Sequence, residues 1–170
     1  MTRNRPARLA HIAGIGVDRM GSLADHAGTD MLRLENLDTD IPPTAEALEF
    51  TRAAIGRDSA NSYLPFVGQD RLRQAAARHL SSQTGLAYGP DNVVISAGGL
   101  SGILNALLAT LDVGDEVIVT DPTYAGLLNR IRLAGGEPRQ VPLRFNSGAA
   151  WELDRAALRA AVTTRTKAML

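Results

Sequence analysis

The chain has no cysteine, and only one of its 18 basic residues is a lysine, Lys167. The first absence excludes disulfides, thiolate-bound zinc and a cysteine nucleophile, while leaving the redox compartment open. The second leaves a single side-chain amine, three residues from the last one, for any chemistry that needs it. No sign of charge is in excess: 18 basic residues face 18 acidic ones, for a formal net charge of +0. The broad positive field that nucleic acid or an anionic membrane requires is therefore missing. Arg3, Arg5 and Arg8 form an early basic run, compatible with a transit peptide or basic arm and equally with a solvated tail. Asp18 and Asp25 soon restore the balance. No stretch is long and apolar enough for a secretory segment or a membrane span, and the chain reads as cytoplasmic. His11, His26 and His79 show neither metal-ligand spacing nor a paired acid or nucleophile, so no metal site is expected.

What is present is the balance of a soluble globular protein: 170 residues, 45% hydrophobic and 21% charged, enough for one domain or a piece of a larger one. Residues 1–40 read as an irregular N-terminal arm with one helix near Val17–His26. Residues 41–88 read as a helical segment. Its first helix, about Pro43–Ile55, is announced by Pro42-Pro43 and by Glu46 in the first turn. Its second follows Gly68, where Leu72, Ala76 and Leu80 share helical spacing. Residues 89–170 alternate in character. Strand-like runs at Asn92–Ser96, Glu116–Thr120, Gln140–Leu143 and Lys167–Leu170 are separated by helical patterns at Leu100–Leu111, Tyr124–Ala134 and Leu153–Val162. Gly135-Gly136 supplies a helix stop, and Asp112–Asp115 a turn. Such alternation predicts an α/β domain with a largely parallel sheet of three to four strands.

Two segments carry chemistry. In Ile95–Gly102, ISAGGLSG, a strand runs through glycines into a helix. Glycines admit an anion close to the backbone, and a helix N-terminus points its positive end at the same place. Ser96 and Ser101 add hydroxyls. The motif is compatible with a phosphate cradle and equally with a tight turn; its glycine spacing is not that of a dinucleotide fingerprint. In TDPTY, Asp121-Pro122 ends a strand and sets Tyr124 at the carboxyl edge of the sheet, where open α/β folds bind ligands. That ring can stack on a planar heteroaromatic group or stand as a half-buried loop tyrosine. Asp121 reads as a turn former. Tyr63 and Phe66 sit in a loop and are compatible with either an interface or a local core.

The order of three longer blocks points further. SYLPFVGQDRLRQAAARHL, then DNVVISAGGLSGILNALLATLDVGDEVIVTDPTYAGLLNRIRLAGGEP, then TRTKAML together resemble the aminotransferase class I/II family of fold-type I pyridoxal-phosphate-dependent enzymes over about residues 30–170. The resemblance implies a partial fold-type I large domain preceded by a helical N-terminal segment. The cofactor implied is pyridoxal 5'-phosphate, the small-molecule substrates an amino acid and a 2-oxo acid, and the full-length form a homodimer. It further implies that Gly98, Gly99 and Leu100 offer amides to the cofactor phosphate, with Ser101 as a side-chain donor. Tyr124 would stack on the pyridine ring, and Tyr63 would reach the phosphate held by the other subunit. Glu35 and Asn36, in the stretch running to Asp38, fall where the family contacts the substrate carboxylate, but the family's glycine and proline are absent there. Ile15–Leu23 would be the arm that closes over the substrate. The family's Schiff-base lysine, ring-facing aspartate and carboxylate-binding arginine come later than this chain, and Lys167 matches a different position. The expectation is an N-terminal fragment with no catalytic residue of its own, inactive alone. The strand at Asn92–Ser96 would lack its sheet partner. Lyases, decarboxylases and synthases of the same fold are the alternative enzyme reading. A phosphate-binding or dimerising module without catalysis is the alternative from another class.

Overall fold

The computed structural model describes residues 6, 9–12, 14–28, 30–35, 40–148 and 150–170. The early run Arg3, Arg5 and Arg8, and the positions Asn36 to Asp38, lie outside the described residues. The chain forms two units, Met1–Ser22 with Ala97–Leu170, and Leu23–Ser96. A first helix, α1 (Gly16–Ala27), covers the run expected to be helical in the arm.

In the unit Leu23–Ser96, α2 (Ala45–Ile55) begins where Thr44 caps it, its hydroxyl accepting from the Ala47 amide at 3.2 Å. Two proline neighbours and this cap fix the start, because a side-chain oxygen there satisfies an amide the helix cannot. The following α3 (Asp70–Thr84) ends on Gly85. Its Arg73 reaches back along the chain, donating from Nε to the Val93 carbonyl at 2.9 Å and from Nη2 to the Pro90 carbonyl at 2.6 Å. The Ile95 amide donates to the Val67 carbonyl at 3.0 Å.

The run Asn92–Ser96, expected as a strand, belongs to no sheet: Asn92 closes a short 3-10 turn and residues 93–96 make no ladder. An apolar β-branched run has the propensity for a strand, but pairing needs a partner edge, and the four-stranded sheet forms without it.

That sheet lies in the unit Ala97–Leu170. It comprises β1 (Glu116–Asp121), β2 (Glu137–Arg144), β3 (Glu152–Leu153) and β4 (Thr166–Met169), in the order β3-β2-β1-β4. Strand β1 is central and parallel to both β2 and β4; β3 is antiparallel to β2. A central parallel strand is covered on both faces, and β1 accordingly buries Val117, Ile118 and Val119 in succession. Two corrections follow. The second strand is longer than Gln140–Leu143, and Leu153, read as opening a helix, pairs instead with Leu143. Helix α6 (Arg155–Ala161) starts only after Asp154, whose carboxylate accepts the Ala156 and Ala157 amides at 3.0 Å each. An aspartate side chain competes for helix-start amides, so it ends the extended run and begins the helix.

Helices α4 (Gly99–Thr110) and α5 (Ala125–Leu133) cover one face of the sheet. Leu107 of α4, Val117 and Val119 of β1, and Ile131 of α5 form the core, with Ile103, Leu111, Leu128, Ala134 and Ala168 packed around it. Val117 and Val119 are two residues apart and so share one face of the strand.

Candidate functional site

Helix α4 runs into the Asp112–Asp115 turn, where the Asp115 amide donates to the Asp112 carbonyl at 3.1 Å, and the chain returns as β1. The 12-residue helix is about 18 Å long and the 6-residue strand about 20 Å. The two therefore match in length, and the N-terminus of α4 stands level with the carboxyl end of β1. The chain leaves β1 through Pro122, whose peptide bond with Asp121 is cis, and enters α5 at Tyr124. Two helix N-termini thus open on the same edge of the sheet, the edge at which open α/β sheets hold ligands.

At the first of them, Gly98 is the cap residue with φ 84° and ψ 163° and no side-chain cap. L side chains rarely adopt that φ, so glycine is required by the backbone and not only tolerated. Gly98 and Gly99 are exposed, and a Cβ built on either would meet nothing within 4 Å. The Gly102 amide donates to the Gly98 carbonyl at 3.2 Å and closes the first helical turn. Gly99, Leu100 and Ser101 precede it, at the positions whose amides have no acceptor inside a helix. Leu100 and Ser101 are half-buried. This is an open, uncharged pole with glycine backbone at its rim, suited to a phosphate-sized anion.

At the second, Tyr124 precedes the first turn of α5 and keeps about half of its surface exposed, 51%. A planar anionic group fits this pair of features: donors for its charge from α4, and an aromatic face at the same sheet edge. Tyr63 lies in the other unit and is wholly exposed, at 102%. Phe66, from the same loop, is exposed as well.

Glu35 also lies in that unit. Its carboxylate is paired with Arg33, which donates from Nη1 to Asp25 at 2.8 Å as well. Its own backbone amide and the Arg33 guanidinium hold Glu35 below the usual carboxylate range. From Gly16 on, the stretch Ile15–Leu23 falls in α1, and it borders an open depression of about 500 Å³ lined by Gly14, Ile15, Gly16, Asp18, Arg19 and Ser22.

Lys167 sits far from the site edge. Strand β4 pairs with β1 through Thr166 opposite Glu116 and Ala168 opposite Val117, so Lys167 lies beside the first residues of β1. Asp121 ends that strand four to five residues on, about 13–16 Å along the sheet. No group of three or more His, Asp or Glu able to hold a metal occurs among the described residues. None of the helices there is long and apolar enough to cross a membrane.

One buried polar cluster escaped the sequence reading. Glu116 is fully buried at the amino end of β1. Its Oε1 accepts from Arg139 Nη2 at 2.7 Å and from Arg165 Nη2 at 2.5 Å; its Oε2 accepts from the Thr163 hydroxyl at 2.6 Å. Hydrogen bonds from Arg139, Thr163 and Arg165, in that order of effect, hold its pKa down to about 2. The cluster ties β1 to β2 and to the turn before β4, at the end of the sheet opposite the site. An acid opening an apolar strand was the available signal, but its partners stand more than twenty residues away.

The architecture and the paired helix poles are those of a fold-type I α/β domain, and the chain belongs to the aminotransferase class I and II family, whose model matches residues 32–170. The probable aspartate/prephenate aminotransferase of Thermus aquaticus is 32% identical over 143 residues, 84% of this chain and 37% of that protein. The aspartate/prephenate aminotransferase of Cereibacter sphaeroides is 34% identical, over 83% of this chain and 34% of its own length. Among solved structures, N-succinyldiaminopimelate aminotransferase from Mycobacterium tuberculosis superposes with a TM-score of 0.86 at 30% identity, covering 98% of this chain and 42% of that one. Aspartate aminotransferase from Thermus thermophilus with maleate gives 0.85 at 27% identity, over 99% and 44%. The chain thus spans about a third of the length of the curated relatives it matches.

Proposed function

We propose that this chain forms the phosphate-holding and ring-stacking part of a pyridoxal-phosphate-dependent aminotransferase that moves an amino group between an amino acid and a 2-oxo acid. The observation that carries the reading is the α4 pole, with Gly98 held at φ 84°, on the same sheet edge as the half-exposed ring of Tyr124. Family membership supplies the cofactor class. Bound there, pyridoxal phosphate supplies an electron sink for bonds broken at the α-carbon of the amino acid.

The chain's own residues orient and hold. The amides of Gly98, Gly99 and Leu100, with the Ser101 hydroxyl, take the phosphate, and the α4 dipole favours its charge. Tyr124 packs on the ring face and excludes water from it. Tyr63, free of any packing that would hold it back, reaches the phosphate site of a second subunit in the homodimer. The Glu35–Asn36 stretch flanks the substrate carboxylate. The Glu35 carboxylate is itself engaged by Arg33, which balances its charge. The amine that anchors the cofactor is not Lys167, which stands at the wrong end of β1. The assembled enzyme acts in the cytoplasm.

The test is an absorbance titration of the purified chain with pyridoxal phosphate, followed by borohydride reduction and peptide mapping. Reversible binding that phosphate competes away, with no reduced adduct on Lys167, is the expected result. A stoichiometric adduct at Lys167 would mean that the chain builds a different site, and the reading fails.

A further inference from the structure

Gly126 is the second residue of α5, in its first turn, where alanine is a better helix former than glycine. It is nevertheless glycine, and it is buried although it carries no side chain. What lies over it is the ring of Tyr124: a Cβ built on Gly126 would overlap Cε1 of that ring and stand 2.9 Å from Cδ1 and 3.0 Å from Cζ. The atoms in the way belong to the outer part of a mobile side chain, so a methyl group there displaces the ring and leaves the helix intact.

We infer that Gly126 is a positioning residue: its missing side chain is the seat in which the Tyr124 ring lies against the first turn of α5, one face covered and the other presented to a planar ligand. The inference rests on the reading of Tyr124 as the stacking ring. The ring gains its orientation from a flat surface of backbone. Such a surface restricts its rotamers before any ligand arrives, and orientation in place before binding is what lowers the cost of stacking.

The experiment uses the full chain and the variants Gly126→Ala, Tyr124→Leu and the double variant, with pyridoxal phosphate as probe. In wild type, the aromatic ring shifts the Gly126 resonances upfield in NMR spectra, and Tyr124→Leu removes that shift. In Gly126→Ala the ring resonances of Tyr124 move toward solvent values while far-UV circular dichroism holds or gains helix. The dissociation constant rises by about fivefold or more, the range of one lost aromatic stack. In the Tyr124→Leu background the alanine then adds no further loss, because Gly126 acts only through the ring.

Tyr124 ring resonances unchanged in Gly126→Ala would overturn the inference. So would a displaced ring with unchanged affinity, or an equal loss with and without the tyrosine. If Tyr124→Leu binds the probe as wild type does, or wild type does not bind it, the functional reading fails instead, and with it the ligand half of this inference. The two failures are thus distinguishable.

Discussion

Ile131 is the residue on which the α5 side of the core turns. It is fully buried in α5 against Leu107, Val117 and Val119. Ile131→Ala removes three carbons, worth about 2.4 kcal/mol at about 0.8 kcal/mol per buried methylene. The cavity left behind adds about 1 kcal/mol if the site collapses by half, for a loss near 3–4 kcal/mol. Ile131→Val removes one carbon and should lose about 1 kcal/mol. Leu108, one residue from the core position Leu107 on α4, is 58% exposed, so Leu108→Ala should lose well under 1 kcal/mol despite removing as many carbons. Urea unfolding followed by circular dichroism and by the single tryptophan, Trp151, measures all three. The Trp151 ring lies tilted against Phe145 with centroids 5.1 Å apart and so reports on the sheet unit. The valine variant gives the graded result should the alanine variant lose its folded baseline. If Leu108→Ala and Ile131→Ala lose the same stability, the core of the sheet unit does not lie at Ile131.

Four further outcomes are expected. Glu116 has a folded pKa near 2, below its ordinary 4.5, so its contribution is whole above pH 4.5 and is lost as the pH falls from there toward 2. Glu116→Gln should weaken the fold at pH 7 and flatten the stability–pH curve through that window; an unchanged acid limb would show that the cluster is not what titrates. Gly98→Ala should lose about 1–2 kcal/mol from its left-handed backbone and weaken pyridoxal phosphate binding, measured by melting and by titration. Thr44→Ala should lose about 1 kcal/mol in the unit that contains α2, read from local amide exchange in that helix. In the chain by itself the unit Leu23–Ser96 should bind a hydrophobic dye and melt broadly, because its Val94, Leu32, Phe66 and Tyr63 are all exposed and residues 93–96 have no ladder. A sharp melt of a dye-free monomer would refute that expectation.

Local signals in the sequence were enough to determine the α/β class, the helices α1, α2, α4 and α5 to within two residues, and the glycine turn at 95–102, while α3 runs four residues past Leu80, where its readable spacing stops. Spacing, caps and glycine stops act over a few residues, so they can be read without the fold. The order of the motif blocks was enough to determine the family. Only tertiary structure decided the rest. The Asn92–Ser96 run had the composition of a strand and became none, because pairing depends on a partner edge and not on propensity. Leu153 joined a strand because Leu143 stood across from it. Glu116 became a buried hub because Arg139, Thr163 and Arg165 converge on it from residues 23 to 49 positions away. Lys167 was placed at the wrong end of β1 by strand register, and Gly126 beneath Tyr124 by the entry of the chain into α5. Each of these depends on atoms distant in sequence or on a ring's direction in space, and neither is encoded in any local pattern of residues.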